Sequence, residues 1–128
     1  VMLSDRDSDM TRKAFDIEYL KSRRMQSVFG RKFCGGVFFV HRERYFECGG
    51  ENEHFTGWGP EDAERLRRVS ILGHKVSWTN AGQAYHLNHP RGKNSDFFEE
   101  EAAIKLRKEL CKVCSMDQEE LKHYIENW

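Results

Sequence analysis

Gly57-Trp58-Gly59-Pro60-Glu61-Asp62-Ala63-Glu64-Arg65-Leu66-Arg67-Arg68-Val69-Ser70-Ile71-Leu72-Gly73 reads as a loop feeding a helix. Two glycines flank an exposed-type aromatic. Pro60 suits a first helical position, where its missing N–H would have no partner anyway. Glu61 and Asp62 complement the positive end of the helix, and Gly73 closes it. The predicted helix runs from Glu61 to Leu72, with Asp62, Leu66 and Val69 sharing its inward face. Upstream, Glu51 to Gly59 has no period and is rich in glycine, aromatic and polar residues, so it reads as a decorated loop. Before it, Arg42 to Cys48 predicts a short helix stopped by Gly49-Gly50. Val37 to Val40, β-branched and aromatic behind Gly35-Gly36, predicts a buried strand, and Lys75 to Thr79 and Ala84 to Leu87 predict further short strands. The central stretch is therefore expected to be a mixed α/β layer.

The ends differ in character. Ser4 to Asp9 reads as a polar, acidic turn, and Thr11 to Arg24 as partly helical. From Ser95 the pattern turns helical, with Phe98, Ala102, Leu106, Leu110 and Val113 on one stripe. Ser115 with Gln118 three residues on predicts a capping box opening a last helix that carries Leu121, Tyr124, Ile125 and Trp128. The expected organisation is a main part over residues 1–94 and a helical extension over residues 95–128 packing on it.

The chain has 128 residues, 33% of them charged and 38% hydrophobic, with 21 acidic and 21 basic side chains. A domain near this size buries roughly two-thirds of its unfolded-chain surface, enough for a core without disulfides or structural metal. Zero formal net charge argues against a nucleic-acid partner, which needs a concentrated basic face. The longest apolar runs, such as Gly35 to Val40, fall far short of the ~20 residues of a membrane-spanning helix. Cys34, Cys48, Cys111 and Cys114 are too few and too unevenly placed for a disulfide framework. With no Asn-x-Ser/Thr sequon, a cytoplasmic setting of bacterial type is favoured over a Golgi lumen, though the compartment stays open. The chain opens on Val1-Met2-Leu3, which reads as the tail of a strand and suggests a piece of a longer protein.

Three features carry possible chemistry: Gly35-Gly36 before a strand, Gly57-Trp58-Gly59-Pro60-Glu61-Asp62 at a helix start, and His86-Leu87-Asn88-His89 after a strand. Each has an ordinary structural use, as a turn, a packing lid and a surface pair. Their order and spacing, joined by Arg44-Tyr45-Phe46 and Gly49-Gly50-Glu51-Asn52-Glu53, resemble the catalytic C-terminal segment of the β1,4-galactosyltransferase-like glycosyltransferases. A more distant likeness is to polypeptide N-acetylgalactosaminyltransferases. The resemblance runs from Cys34 to Asn94, about half the chain, and its specific part is Trp58-Gly59-x-Glu61-Asp62.

That resemblance implies the C-terminal half of a GT-A fold, an α/β (α+β) fragment whose short mixed strands are followed by two packing helices. It implies a metal-dependent, inverting transfer of a hexose or N-acetylhexosamine, galactose-type favoured, from a UDP-sugar to a saccharide acceptor such as a growing polysaccharide. Gly35 and Gly36 would let the backbone approach the donor. Trp58 would form part of the donor and acceptor platform, Glu61 would bind acceptor hydroxyls, and Asp62 would be the catalytic base. His89 and His86 would ligate the metal, usually Mn²⁺. Ala63 and Pro60 depart from the family pattern, where an acid and a glycine are common, and this opens the acceptor's identity.

The chemistry agrees: a leaving diphosphate needs its charge neutralised, which a divalent cation does, and imidazoles suit Mn²⁺ better than Mg²⁺. Inversion needs one carboxylate near the acceptor hydroxyl. The family's Asp-x-Asp metal motif has one candidate here, Asp5-Arg6-Asp7, whose favoured reading is a solvated turn. The nucleotide-binding half is missing from this sequence, so the chain alone is expected to be incomplete and inactive.

Two rival readings stand. His86, His89, Cys111 and Cys114 supply a legitimate tetrahedral zinc set, although the cysteines fall inside an amphipathic helix where such residues pack as small hydrophobes. Alternatively Trp58, Phe55 and Trp78 could serve a non-catalytic carbohydrate-binding domain.

Overall fold

The computed structural model describes residues 1–23, 34–79, 81–90, 92 and 100–128. The chain divides into two compact units, Val1–Gly36 with Trp78–Pro90, and Val37–Ser77 with Arg91–Trp128.

In the first unit, α1 (Asp5–Lys13) and α2 (Ile17–Ser22) follow each other closely. Ser4 caps α1: its Oγ accepts from the Asp7 amide at 3.1 Å and donates to Asp7 Oδ2 at 2.7 Å. Asp16 caps α2 by accepting from the Tyr19 amide at 3.0 Å. The acidic stretch read as a turn is thus the start of a helix. Its acids lie where the helix dipole favours them, and Arg12 and Lys13 close the other end. Leu3 and Leu20 form the buried apolar part, joined by the buried polar residues Asp7 and Ser8.

The second unit contains α3 (Arg42–Glu47), α4 (Glu61–Ile71), α5 (Glu100–Ser115) and α6 (Gln118–Glu126). Helices α3 and α4 end alike. The Gly49 and Gly50 amides donate to the Phe46 and Tyr45 carbonyls, and the Gly73 and His74 amides to those of Ser70 and Val69. These are paired Schellman bonds over a left-handed glycine, Gly49 at φ 85° and Gly73 at φ 89°. Pro60 occupies the N-cap of α4 instead of its first turn. Leu106, Val113, Leu121 and Cys48 are buried.

Around them the inward face of α4 is not the one its apolar spacing predicts. Glu64 and Arg68 are its buried residues, at 1% and 0% exposure, while Asp62, Leu66 and Val69 are only partly covered. Arg68 Nε meets Glu64 Oε1 at 2.8 Å, and its guanidinium also donates to the Cys48 and Gly50 carbonyls. Each of the three guanidinium nitrogens has an acceptor, which is what makes a buried guanidinium tolerable. The same group lies 4.9 Å from the Trp128 ring centroid.

The α5–α6 junction also departs from expectation. Ser115 still belongs to α5, its hydroxyl donating to the Lys112 carbonyl. The capping box is built two residues later: Asp117 accepts from the Glu119 and Glu120 amides at 2.9 Å, and its own amide donates to Glu120 Oε2 at 2.9 Å. The expected onset at Ser95, the boundary at 94–95 and Phe98 lie outside the described residues.

Among the described residues the only β pairing is one parallel bridge, Met2 with His86. Val37 to Val40, Lys75 to Thr79 and Ala84 to Leu87 form no ladder there. Strand-type side chains suit a strand only when a neighbouring backbone supplies hydrogen bonds. Phe39 is instead 96% exposed. No helix among the described residues is long and apolar enough to cross a membrane.

Candidate functional site

Each unit carries part of the predicted constellation. In the second, the loop of residues 51–59 delivers Trp58, Glu61 and Asp62 to the start of α4. Gly57 turns at φ 86°, a conformation that disfavours side chains with a Cβ. Trp58 is 49% exposed. Glu61 Oε2 accepts from the Gly59 amide at 3.0 Å, so one oxygen of the predicted acceptor ligand closes the loop onto the helix. Asp62 sits one residue on, partly covered, in the first turn.

Asp62 Oδ1 is held by Arg65 Nη1 at 2.6 Å, and Arg65 grips Glu51 through Nε to Oε1 at 2.9 Å and Nη2 to Oε2 at 2.8 Å. Tyr45 donates its hydroxyl to Glu51 Oε1 at 2.9 Å. The Arg65 guanidinium lies 4.4 Å from the Phe38 ring centroid. Burial alone would push the Glu51 carboxyl up, but the hydrogen bonds from Arg65 and Tyr45 outweigh it and hold it below the usual carboxylate range. Burial likewise works against the Arg65 charge, and its bonds to Glu51 and Asp62 reverse that, raising its pKa. The result is one cation shared by two carboxylates, which fixes the orientation of Asp62. Sequence reasoning missed Arg65, although an acid three residues before an arginine on a helix is a readable pair.

The loop is tied down at its start as well. Asn52 is buried; its Oδ1 accepts from the His54 amide at 3.0 Å and its Nδ2 donates to Glu109 Oε1 on α5 at 2.9 Å. Tyr124 on α6 donates to the same Glu109 oxygen at 2.7 Å and stacks its ring against His54, centroids 6.0 Å apart. Burial raises the Glu109 carboxyl, yet the bonds from Asn52 and Tyr124 prevail and keep it below its ordinary value. Phe55, proposed as a sugar platform, is half-buried.

In the first unit, His86 and His89 are both exposed and their rings stack with centroids 5.2 Å apart. The His86 backbone is fixed by two bonds, its amide to the Val1 carbonyl at 2.7 Å and the Leu3 amide to its own carbonyl at 2.9 Å. His89 Nδ1 lies 3.0 Å from the Pro90 carbonyl. Between them Asn88 docks on α1: its amide donates to Ser8 Oγ at 2.7 Å, its carbonyl accepts from Arg12, and its side chain donates to Asp5. Asp7 is engaged elsewhere. Hydrogen bonds from Ser4 and Tyr19, against the effect of burial and with help from Arg23 and Arg6, hold its carboxyl below the usual range. It serves to join α1 to α2. Gly36 turns at φ 98°, and a Cβ there would meet nothing within 4 Å; Gly35 is half-buried.

Trp58, Glu61 and Asp62 are therefore neighbours, as are His86 and His89. Among the described residues no three His, Cys, Asp or Glu side chains form a group able to hold a metal. The imidazole pair can offer two nitrogen donors. Cys111 and Cys114 are free thiols on the exposed side of α5, not packed inside it, because the buried stripe of that helix runs through Leu106 and Val113.

Comparison with known proteins gives the class, galactosyltransferase-like. The chain belongs to the family described as the N-terminal domain of galactosyltransferase, whose family model matches residues 10–90. That description speaks of an N-terminal domain where the sequence reading placed a C-terminal segment; galactosyltransferase type is common to both. Similar proteins include beta-1,4-galactosyltransferase 4 of Cricetulus griseus, 33% identical over 67 residues, which are 51% of this chain and 20% of that protein. The same-named protein of Rattus norvegicus is 28% identical over 88 residues, 67% of this chain and 25% of its own length. Beta-1,4-galactosyltransferase 7 of Mus musculus is 30% identical over 71 residues, 52% of this chain and 22% of that protein. The chain thus spans about a fifth to a quarter of the length of these curated relatives. No solved structure matches it significantly.

Proposed function

We propose that this chain is the acceptor-side part of a GT-A glycosyltransferase, lying in the C-terminal catalytic region. It would transfer a galactose-type hexose or N-acetylhexosamine from UDP to a saccharide acceptor with inversion. The observation that carries the reading is the Trp58 to Asp62 segment, an exposed indole beside two carboxylates whose positions are fixed by Gly59 and Arg65. A sugar ring lays its C–H face on the indole. Glu61 binds acceptor hydroxyls with the oxygen not engaged by Gly59. Asp62 takes the proton of the attacking acceptor hydroxyl as that oxygen bonds to the anomeric carbon and the carbon–phosphate oxygen bond breaks, releasing UDP.

Gly35 and Gly36 would face the donor, where an open backbone admits close approach. His89 and His86 would hold Mn²⁺, which when bound neutralises charge on the diphosphate. The two imidazoles are adjacent, and their exposure leaves ring nitrogens open to an ion.

The test is the stereochemistry of the product. The intact protein, given Mn²⁺, UDP-galactose or UDP-N-acetylgalactosamine and a panel of saccharides, is expected to release UDP and form the β-linked product from the α-linked donor, read by NMR of the anomeric proton. An α-linked product would contradict inversion, and release of UDP with no glycoside formed from any saccharide would contradict transfer.

A further inference from the structure

The loop that carries Trp58 is docked at both ends on one helix. At its start Asn52 Nδ2 meets Glu109 Oε1 at 2.9 Å. At its finish Gly59 approaches α5 so closely that a Cβ built on it would lie 2.7 Å from Leu106 Cδ1. Leu106 and Glu109 are three residues apart and so share one face of α5. Tyr124 braces the Glu109 carboxylate from α6 at 2.7 Å. All of α5 and α6 lies outside residues 10–90, the span matched by the family model.

We infer that α5 is the platform that positions the Trp58 to Asp62 segment for transfer, with Glu109 and Leu106 as its two docking points. The catalytic part of this inference rests on the function proposed above. Glu109 touches neither sugar nor nucleotide. It is a positioning residue that acts through Asn52. Fixing Asn52 sets where the loop leaves the Gly49-Gly50 turn, and the Gly59 contact sets where it enters α4. With both ends fixed, the indole and the two carboxylates keep their spacing. An error of about 1 Å in such spacing can cost on the order of 10²-fold in rate.

The experiment uses the intact protein and three variants, Glu109→Ala, Glu109→Gln and Tyr124→Phe, with two readouts. The first is amide hydrogen exchange. Glu109→Ala is expected to raise exchange about tenfold at residues 52–59 while the amides of α1 and the middle of α4 keep their protection, as in local opening. The second is transfer kinetics. Glu109→Ala is expected to lower kcat by ~10 to 10²-fold and raise the acceptor KM, with a smaller rise in the donor KM through Trp58. Glu109→Gln, whose carbonyl oxygen can still accept from Asn52 and Tyr124, should recover most of both. Tyr124→Phe keeps the ring against His54 and loses only the hydroxyl, so it should give the same pattern at smaller size even if Glu109→Ala fails to fold.

Exchange that rises uniformly over the whole chain in Tyr124→Phe, or does not rise there at all, would overturn the docking, as would a Glu109→Gln variant as loosened as Glu109→Ala. A loosened loop with unchanged kinetics would overturn its role in transfer. If the parent transferred no sugar, the proposed function and the catalytic role would fall together, while the exchange data would still decide whether α5 holds the loop.

Discussion

The two candidate segments are anchored at different depths, one by a buried clamp and one largely at the surface. Ahead of Trp58, the Gly49-Gly50 turn is clamped by a buried ion pair: Arg68 binds the Cys48 and Gly50 carbonyls while Glu64 balances its charge. The segment from His86 to His89 is held by backbone bonds to residues 1–3 and, through Asn88, by Ser8 and by the exposed side chains of Arg12 and Asp5. A charge clamp is costly to break and fixes geometry. An anchor made largely at the surface costs less to lose, because water replaces its partners, and leaves exposed side chains free to adjust. The difference suits the proposed roles, since a base must meet a hydroxyl at one distance while imidazoles can settle around an ion.

The comparison breaks first at Arg68. Arg68→Ala strands Glu64 in the core, and removing one partner of a buried pair typically costs about 3–5 kcal/mol. Chemical denaturation of the intact protein should show a loss of that size. A loss below about 1 kcal/mol would mean that the pair is not buried in solution. Ser8→Ala is the counterpart. It leaves the Asn88 amide without its acceptor, an effect of about 1–3 kcal/mol, and it should disturb the NMR signals of His86 and His89 more than those of Trp58. Equal disturbance of both segments would contradict their separate anchoring.

Acid gives the smallest effect and sharpens the contrast. Glu51 and Glu109 are both held below the usual carboxylate range by hydrogen bonds that outweigh burial. Their contribution is therefore complete above the ordinary glutamate value of 4.5 and drains as pH falls through the lowered native values. Melting temperature should fall below about pH 4.5, and Glu109→Gln should flatten part of that fall. An unchanged acid slope in the variant would show that Glu109 is not held as described.

Much of the second unit was legible because its signals are local. Gly49-Gly50 and Gly73 mark helix ends for a conformational reason, and Pro60 with Glu61 and Asp62 marks a beginning. Helix α1 was harder to read. Its Asp5–Lys13 span has Met10 as its one large apolar residue, so no period shows, although Ser4 followed by Asp7 was a usable cap signal. Ser115 and Asp117 both fit a cap pattern, and only the continuation of α5 decides between them. The Glu64–Arg68 pair reads in sequence as a solvated i,i+4 bridge, since nothing local reveals that the Cys48 and Gly50 carbonyls need donors there. Asn52 and Glu109 meet across 57 positions, beyond any pattern a single sequence displays. The candidate site was thus readable as residues, and its supports were not.

Asp62→Asn in the intact protein tests the central claim most directly. The amide keeps the size of the side chain and an oxygen for Arg65, so folding and the affinities for UDP-sugar and Mn²⁺ should stay near those of the parent, measured by calorimetry. Transfer should then lose ~10² to 10⁴ in kcat, as expected when a general base is removed. A kcat within a few-fold of the parent, or lost donor binding with unchanged chemistry, would show that Asp62 serves the helix and not the reaction.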